Sequence, residues 1–253
     1  DNQAIWLGAP PASPGTQYFP HTVGGDNESF YTGLPESSVQ APVALAGTLK
    51  NLYVYVWRSP GGSGAFSLQF QLSRNGVVSG LDVTVSLASG QMTGSGSIAV
   101  DVPVAAGDLL AMKITKTGSW INAVYATWGF SFNPSVPNQY LLFNAFDTPR
   151  QDTVRYKSLV DAQKYSTIAW NATESNVYNI TLGMALSNFN VRLWAAPGVA
   201  KSYTFVVRKN GADTALTVTI SGNNTTGADT THLVFVSPGD VVTVKCTPSG
   251  TPP

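Results

Sequence analysis

Two copies of one pattern in a chain are expected to fold alike, so an internal repeat constrains this sequence more than any other feature. Leu49-Lys50-Asn51-Leu52-Tyr53-Val54 recurs as Leu186-Ser187-Asn188-Phe189-Asn190-Val191, about 137 residues later. At the same offset Pro60-Gly61 falls on Pro197-Gly198, and Phe66, Leu68 and Phe70 fall on Tyr203, Phe205 and Val207. A small deletion then brings Asn75-Gly76 onto Asn210-Gly211, with Val83 and Val85 on Val218 and Ile220. Further along, Gly107-Asp108 meets Gly239-Asp240, Lys113 meets Lys245 and Gly118 meets Gly250. Near the start, Asn2-Gln3 meets Asn138-Gln139. The order is collinear and the turn residues coincide, so the chain reads as two domains, 1–135 and 136–253.

Each copy reads as β-structure. Apolar residues alternate with polar ones between turn signals, the period of a half-buried strand. Asn-Gly at 75–76 and 210–211 marks hairpins, because both residues accept a positive φ. Gly-Asp at 107–108 and 239–240 suits a turn ahead of an apolar strand. The best helical candidate, Thr153 to Gln163, has only weak periodicity. The copies also agree on an inward face. Leu52, Val54 and Val56 match Phe189, Val191 and Leu193, whereas the alternate positions diverge: Tyr53, Tyr55 and Trp57 against Asn190, Arg192 and Trp194. Leu110, Met112 and Ile114 likewise match Val242, Val244 and Cys246. The expected fold class is all-β, with two tandem jelly-roll-like antiparallel β-sandwich domains of about eight strands each.

The second copy is incomplete. The first continues past Gly118 through a strand in which Val124, Ala126, Trp128, Phe130 and Phe132 are expected to face the core. The second has no such strand before Pro253, which would leave an open edge and an uncovered groove. Three closures are compatible with this. The chain continues, a segment from 136–160 fills the gap, or a neighbouring subunit donates a strand.

Charge narrows the function classes. Charged residues are 11% of the chain, against about 25% in typical soluble domains, and formal net charge is zero. No run of Lys and Arg offers a nucleic-acid groove or a polybasic membrane patch. No apolar run approaches the roughly 20 residues needed to span a bilayer, so no membrane insertion is expected. Residues Asp1 to Gly8 lack the basic start and apolar core of a secretion signal. The single cysteine, Cys246, excludes a disulfide within the chain.

Catalytic chemistry finds few candidates. His21 sits in a Pro/Gly-rich loop and His232 aligns with Val100; neither is framed with a nucleophile. Cys246 takes the core position of Ile114, which predicts an inert buried thiol. Asp101 with Asp108, or Asp229 with Asp240, are the carboxylate pairs to test for glycoside hydrolysis. Asp108 and Asp240 both follow a turn glycine, where a turn role suffices. Asp213 and Asp229 are candidates for a calcium site of loop oxygens. The expectation is no enzyme, no metal and no cofactor.

The exposed aromatics are a better lead. Tyr53, Tyr55 and Trp57, with Trp194 in the second copy, form a candidate interaction surface for a subunit, a domain or a sugar. The competing reading is a ladder covered by the segment from Trp6 to Tyr31. Sequons at Asn27, Asn171, Asn179, Asn223 and Asn224 are candidate glycosylation sites.

The second copy also carries a resemblance. Tyr203 to Gly211, Thr217 to Gly222, Ser237-Pro238-Gly239-Asp240 and Thr247 to Pro252 resemble β-sandwich domains of bacteriophage and virus structural proteins, and of related bacterial surface proteins. The resemblance covers most of the second copy and, more loosely, the first. It implies a non-enzymatic structural subunit located in a virion or on an extracellular surface, in a capsid, decoration or tail-associated role. A two-domain subunit can present pseudo-equivalent surfaces, so the expected partners are copies of itself, a trimer giving pseudo-sixfold symmetry, together with other virion proteins or surface glycans. A carbohydrate- or receptor-binding module of a fibre or adhesin is the first alternative. A filament subunit linked by donated strands is the second.

Overall fold

A computed structural model describes residues 2–8, 15–20, 35–119, 124–137, 139, 153–159, 170–177 and 179–253. The chain divides into two compact units, Asp1–Leu141 and Leu142–Pro253. Its described residues form three five-stranded antiparallel sheets, none of which closes into a barrel.

The first unit contains β1 (Asn2–Gly8), β2 (Gly15–Pro20), the four-residue helix α1 (Glu36–Val39), β3 (Ala41–Pro42), β4 (Gly47–Arg58), β5 (Phe66–Arg74), β6 (Val77–Leu87), β7 (Thr93–Ile98), β8 (Val102–Val104), β9 (Leu109–Gly118) and β10 (Val124–Pro134). One sheet runs β1-β10-β4-β7, with β8 also on β4; the other runs β2-β9-β5-β6, with β3 also on β9. The two pack face to face. The Phe70 ring of β5 lies 5.9 Å from the Trp128 ring of β10. A Cβ added at Gly96 of β7 would sit 2.7 Å from the Val83 side chain of β6, so the edge strand is thin because the facing sheet is close. Alternation directs Leu52, Val54 and Val56 inward against Val124, Ala126, Trp128, Phe130 and Phe132, and all eight are buried.

The second unit contains β11 (Arg155–Lys157), a single 3-10 turn (Glu174–Val177), β12 (Asn179–Arg192), β13 (Gly198–Lys209), β14 (Ala212–Gly222) and β15 (Thr226–Ser249). Its sheet runs β11-β15-β13-β14, with β12 also on β15. It forms one sheet because β15 is a continuous strand of 24 residues. The first half of β15 pairs with β12, the second half with β13 and β11. The strand Thr153 to Gln163 contains is β11; residues 160–169 lie outside the described residues.

Pairings coincide between the units residue by residue. Val54 opposite Gly96 matches Val191 opposite Gly227, and Leu49 opposite Val102 matches Leu186 opposite Val234. Asn51 and Asn188 share a left-handed conformation, φ 55° and 53°, at a kink in matching strands. That backbone explains why asparagine recurs at this place in both copies of the motif.

One correspondence expected from the sequence is corrected. Phe205 holds the place of Phe70, not of Leu68: Phe70 pairs with Ile114 and Phe205 with Cys246. Tyr203 accordingly matches Leu68, and Val207 matches Leu72. The units differ in length in the loop before the strand, after Pro60 and Pro197, not within the strand. A two-residue slip returns every side chain to the same face, so alternation alone does not detect it. The Asn-Gly turns and cross-strand partners fix the register.

Where β10 fills the first unit, the second is built differently. Among the described residues, β12 pairs only with β15. The Trp170 ring, from the segment ahead of the 3-10 turn, lies 6.0 Å from Phe205 at 46°. Trp128 meets Phe70 at 5.9 Å and 47°. Met184 holds the register position of Gly47, where a Cβ would fall 2.5 Å from the Phe132 ring. A strand in the same place as β10 would collide with that methionine.

Candidate interaction surfaces

The outward face of the β7-β4-β10 region is a small uncharged grid. Its central row is Trp57, Tyr55 and Tyr53. On one side Thr93, Ser95 and Ser97 of β7 lie directly opposite; on the other lie Tyr125, Thr127 and Gly129 of β10. Tyr53 is 64% exposed and Tyr55 45%, so the row is uncovered. The backbones of β1 and β2 run beside β10 and β9 respectively; the rest of the segment from Trp6 to Tyr31 lies outside the described residues. Tyr55 stacks on Trp57 at 5.8 Å, and Trp57 on Tyr125 at 5.3 Å. Pro60, Met92 and Thr93 border an open depression beside Tyr55 and Trp57. Beneath it Arg58 is buried, donating to the carbonyls of Gly64 and Ala88 and lying over the Phe66 ring.

Trp194 is 65% exposed, but it stands at the end of β12 with Arg192 and Asn190 in place of the tyrosines. The second unit instead exposes Leu233 and Phe235 on its outward face, opposite Ser187 and Ala185. The matching positions in the first unit are Asp101 and Pro103. Asp101 pairs with Lys50 at 3.1 Å, whereas the bond from Arg74 to the Pro103 carbonyl is shared, Lys209 donating to the Phe235 carbonyl at 3.0 Å. Aspartate and proline guard that stretch in one unit; leucine and phenylalanine occupy it in the other.

Among the described residues, the acidic side chains nominated by the sequence are each committed to a local partner. Asp108 accepts the Ala105 amide at 2.8 Å and the Asn75 amide group at 2.7 Å. Asp240 repeats this with Ser237 and Asn210, both at 2.7 Å. The Ser237 amide, Asn210 and Lys209 hold the Asp240 carboxyl down at about 2. Asp229 is buried and accepts the amides of Thr217, Thr231 and His232, the Thr231 hydroxyl, and His232 Nδ1 at 2.8 Å. Those donors, the Thr217 amide foremost, keep its carboxyl well below the ordinary range. A carboxylate ringed by N–H donors is arranged to pin the bulge in β15 between Asp229 and Leu233, not to hold calcium, which takes oxygen ligands. Asp213 is likewise held by Arg208 and Lys245. Glu174 accepts Arg208 Nε at 2.8 Å and the Thr243 hydroxyl at 2.7 Å. Burial opposes its charge, but Arg208 and Thr243 outweigh that and lower its carboxyl. Arg208 also lies 5.6 Å over the Tyr156 ring, so this cluster ties β11, β13, β14 and β15 to the 3-10 turn.

Cys246 is buried, and desolvation pushes its thiol up to about 12. His21 and Asn27 lie outside the described residues. Asn223 and Asn224 are exposed in the turn before β15. Asn171 is half-buried, its side-chain oxygen accepting the Thr173 amide at 2.8 Å, and Asn179 is half-buried at the start of β12.

Sequence reasoning did not select Tyr125, Leu233, Phe235 or Trp170. Tyr125 carries no signal until β10 is paired with β4, and the contrast at 233 and 235 emerges only once the turn ahead of them is aligned. No protein-family model and no curated protein matches this chain.

Proposed function

We propose that the chain is a non-enzymatic structural subunit of an extracellular assembly, a virion foremost, built from two copies of one jelly-roll-like β-sandwich and acting through subunit packing. The carrying observation is the contrast between Asp101 and Pro103 in one unit and the exposed Leu233 and Phe235 in the other. Sheet edges and faces that stay in water are guarded by charge and proline, and an apolar row left unguarded marks a contact surface. Matching strand registers and shared turn hydrogen bonds support the two-copy reading. The carboxylates held by local donors and the inert thiol fit a framework role.

The test transplants the guard. Ser187→Lys, Leu233→Asp and Phe235→Pro together place the first unit's residues in the second. Light scattering across a concentration series should show the parent chain as a discrete oligomer or growing polymer, and the triple variant as a folded species of lower mass. A parent that stays near 26.7 kDa at every concentration removes the assembly reading.

A further inference from the structure

We propose that the outward face of β4, with its flanking rows on β7 and β10, is a binding site for neutral carbohydrate. This goes beyond the assembly reading and uses the other unit. Strand registers match between the units, yet the positions of Tyr53, Tyr55 and Trp57 are held by Asn190, Arg192 and Trp194 in the second. Three aromatics in a row are therefore not a requirement of this sheet. Nor do they serve a core, since Tyr53 and Tyr55 are 64% and 45% exposed.

Chemistry then selects the ligand. Tyr55, Trp57 and Tyr125 form a continuous stack, which fixes the rings and lowers the ordering cost of binding. Tyr53 lies two residues from Tyr55 on the same face of the strand. Hydroxyl side chains line both flanks: Ser95 opposite Tyr55 and Ser97 opposite Tyr53 on one side, Thr127 opposite Tyr55 on the other. Gly129 opposite Tyr53 adds no side chain there. No charged side chain stands in the three rows. A polyanion, nucleic acid included, would find no exposed cation in these rows to replace its counterions, since Arg58 is buried beneath them. A charged peptide would find no partner for its charge. A neutral sugar offers what the grid can use: apolar C–H faces for the rings and hydroxyls that exchange hydrogen bonds with Ser and Thr. Since β7 is the edge strand, an extended saccharide has access from that side.

The experiment uses the full chain in native gels containing dextran, hydroxyethylcellulose, mannan or galactomannan, followed by titration of the corresponding hexasaccharide with tryptophan fluorescence as readout. At least one polymer should retard the chain, and its oligosaccharide should perturb Trp57 emission. Tyr55→Ala should weaken binding at least tenfold with an unchanged melting temperature, because that side chain is half in solvent. Tyr53→Ala should weaken it less, and Trp194→Ala not at all. Three results would overturn the proposal: no retardation by any of the four polymers, binding that survives the Tyr53→Ala/Tyr55→Ala double variant, or heparin binding more tightly than every neutral polymer. A fall in oligomer mass in that double variant would also overturn it, assigning the face to subunit contact. Loss of sugar binding with an unchanged light-scattering mass keeps this site separate from the assembly reading.

Discussion

The two units hold the same pairings with different material at their margins. In the first, β10 inserts between β1 and β4 and brings Trp128 onto Phe70. In the second, an indole reaches the matching phenylalanine from a separate segment ahead of the 3-10 turn. Leu52, Val54 and Val56 are fully shielded in the first unit, whereas Phe189 and Val191 are only partly buried in the second. The difference teaches that the registers are set by turns and inward rows, while the seal over the core is interchangeable. A core needs volume filled at a given place and is indifferent to which segment supplies it.

The strongest way to break this comparison is to remove the two indoles in turn. Trp128→Ala should destabilise the first unit by about 3–5 kcal/mol, the usual range for emptying a buried aromatic site. Trp170→Ala should cost the second unit a loss of the same order if it performs the same filling. Calorimetry of the full chain, with each unit followed as its own transition, measures both. A loss below about 1 kcal/mol for Trp170→Ala would show that its contact with Phe205 is incidental and that the second core is held elsewhere.

The hairpin clamps sharpen the comparison with a smaller effect. In the first unit Asn75 donates to Asp108 and accepts the Leu109 amide at 2.8 Å; in the second Asn210 donates to Asp240 and accepts the Val241 amide at 2.9 Å. Both asparagines are left-handed, φ 53° and 51°. Asn75→Gly and Asn210→Gly keep that backbone accessible and delete only the side-chain bonds. Each should lower its own unit by about 1–2 kcal/mol, and the two losses should agree. Unequal losses would mean that the shared geometry conceals different energetics.

These clamps also mark how far the sequence could be read. Asn-Gly and Gly-Asp were visible as paired turn signals, but their hydrogen bonds to one another join strands distant in sequence. The inward rows at Leu52 and Phe189, or Leu110 and Val242, were legible because alternation is local. The placement of Phe205 against Phe70 was not, since a two-residue slip leaves alternation intact. Trp170 was hidden for a related reason: core filling across a gap leaves no periodic trace. Of the interaction surface, Tyr53, Tyr55 and Trp57 were legible from divergence between the copies. Their hydroxyl flanks became visible only through strand pairing.

Acid should separate the units by the smallest margin. Each has a turn aspartate with a lowered pKa, Asp108 and Asp240, so their effects run in parallel. The second unit adds Asp213 and Glu174, both lowered in the Arg208 cluster, and Asp229, opposite Phe189 where the first unit has Ile98 opposite Leu52. Asp229 is held below its ordinary value of 3.8 by bonds made only in the folded chain. The unfolded chain therefore binds its proton first as pH falls, so the stabilisation is complete above about pH 4 and is lost progressively below it. Melting temperatures measured from pH 6 to pH 2 should fall more steeply for the second unit. Asp229→Asn should lower that unit's stability at neutral pH, because the carboxylate serves five donors, and should reduce its acid slope, leaving the part carried by Asp213 and Glu174. A first unit that is the more acid-sensitive, or a slope unaltered by Asp229→Asn, would place the acid response on groups other than Asp229. The bulge at Asp229 would then be a difference of shape without a difference in proton linkage.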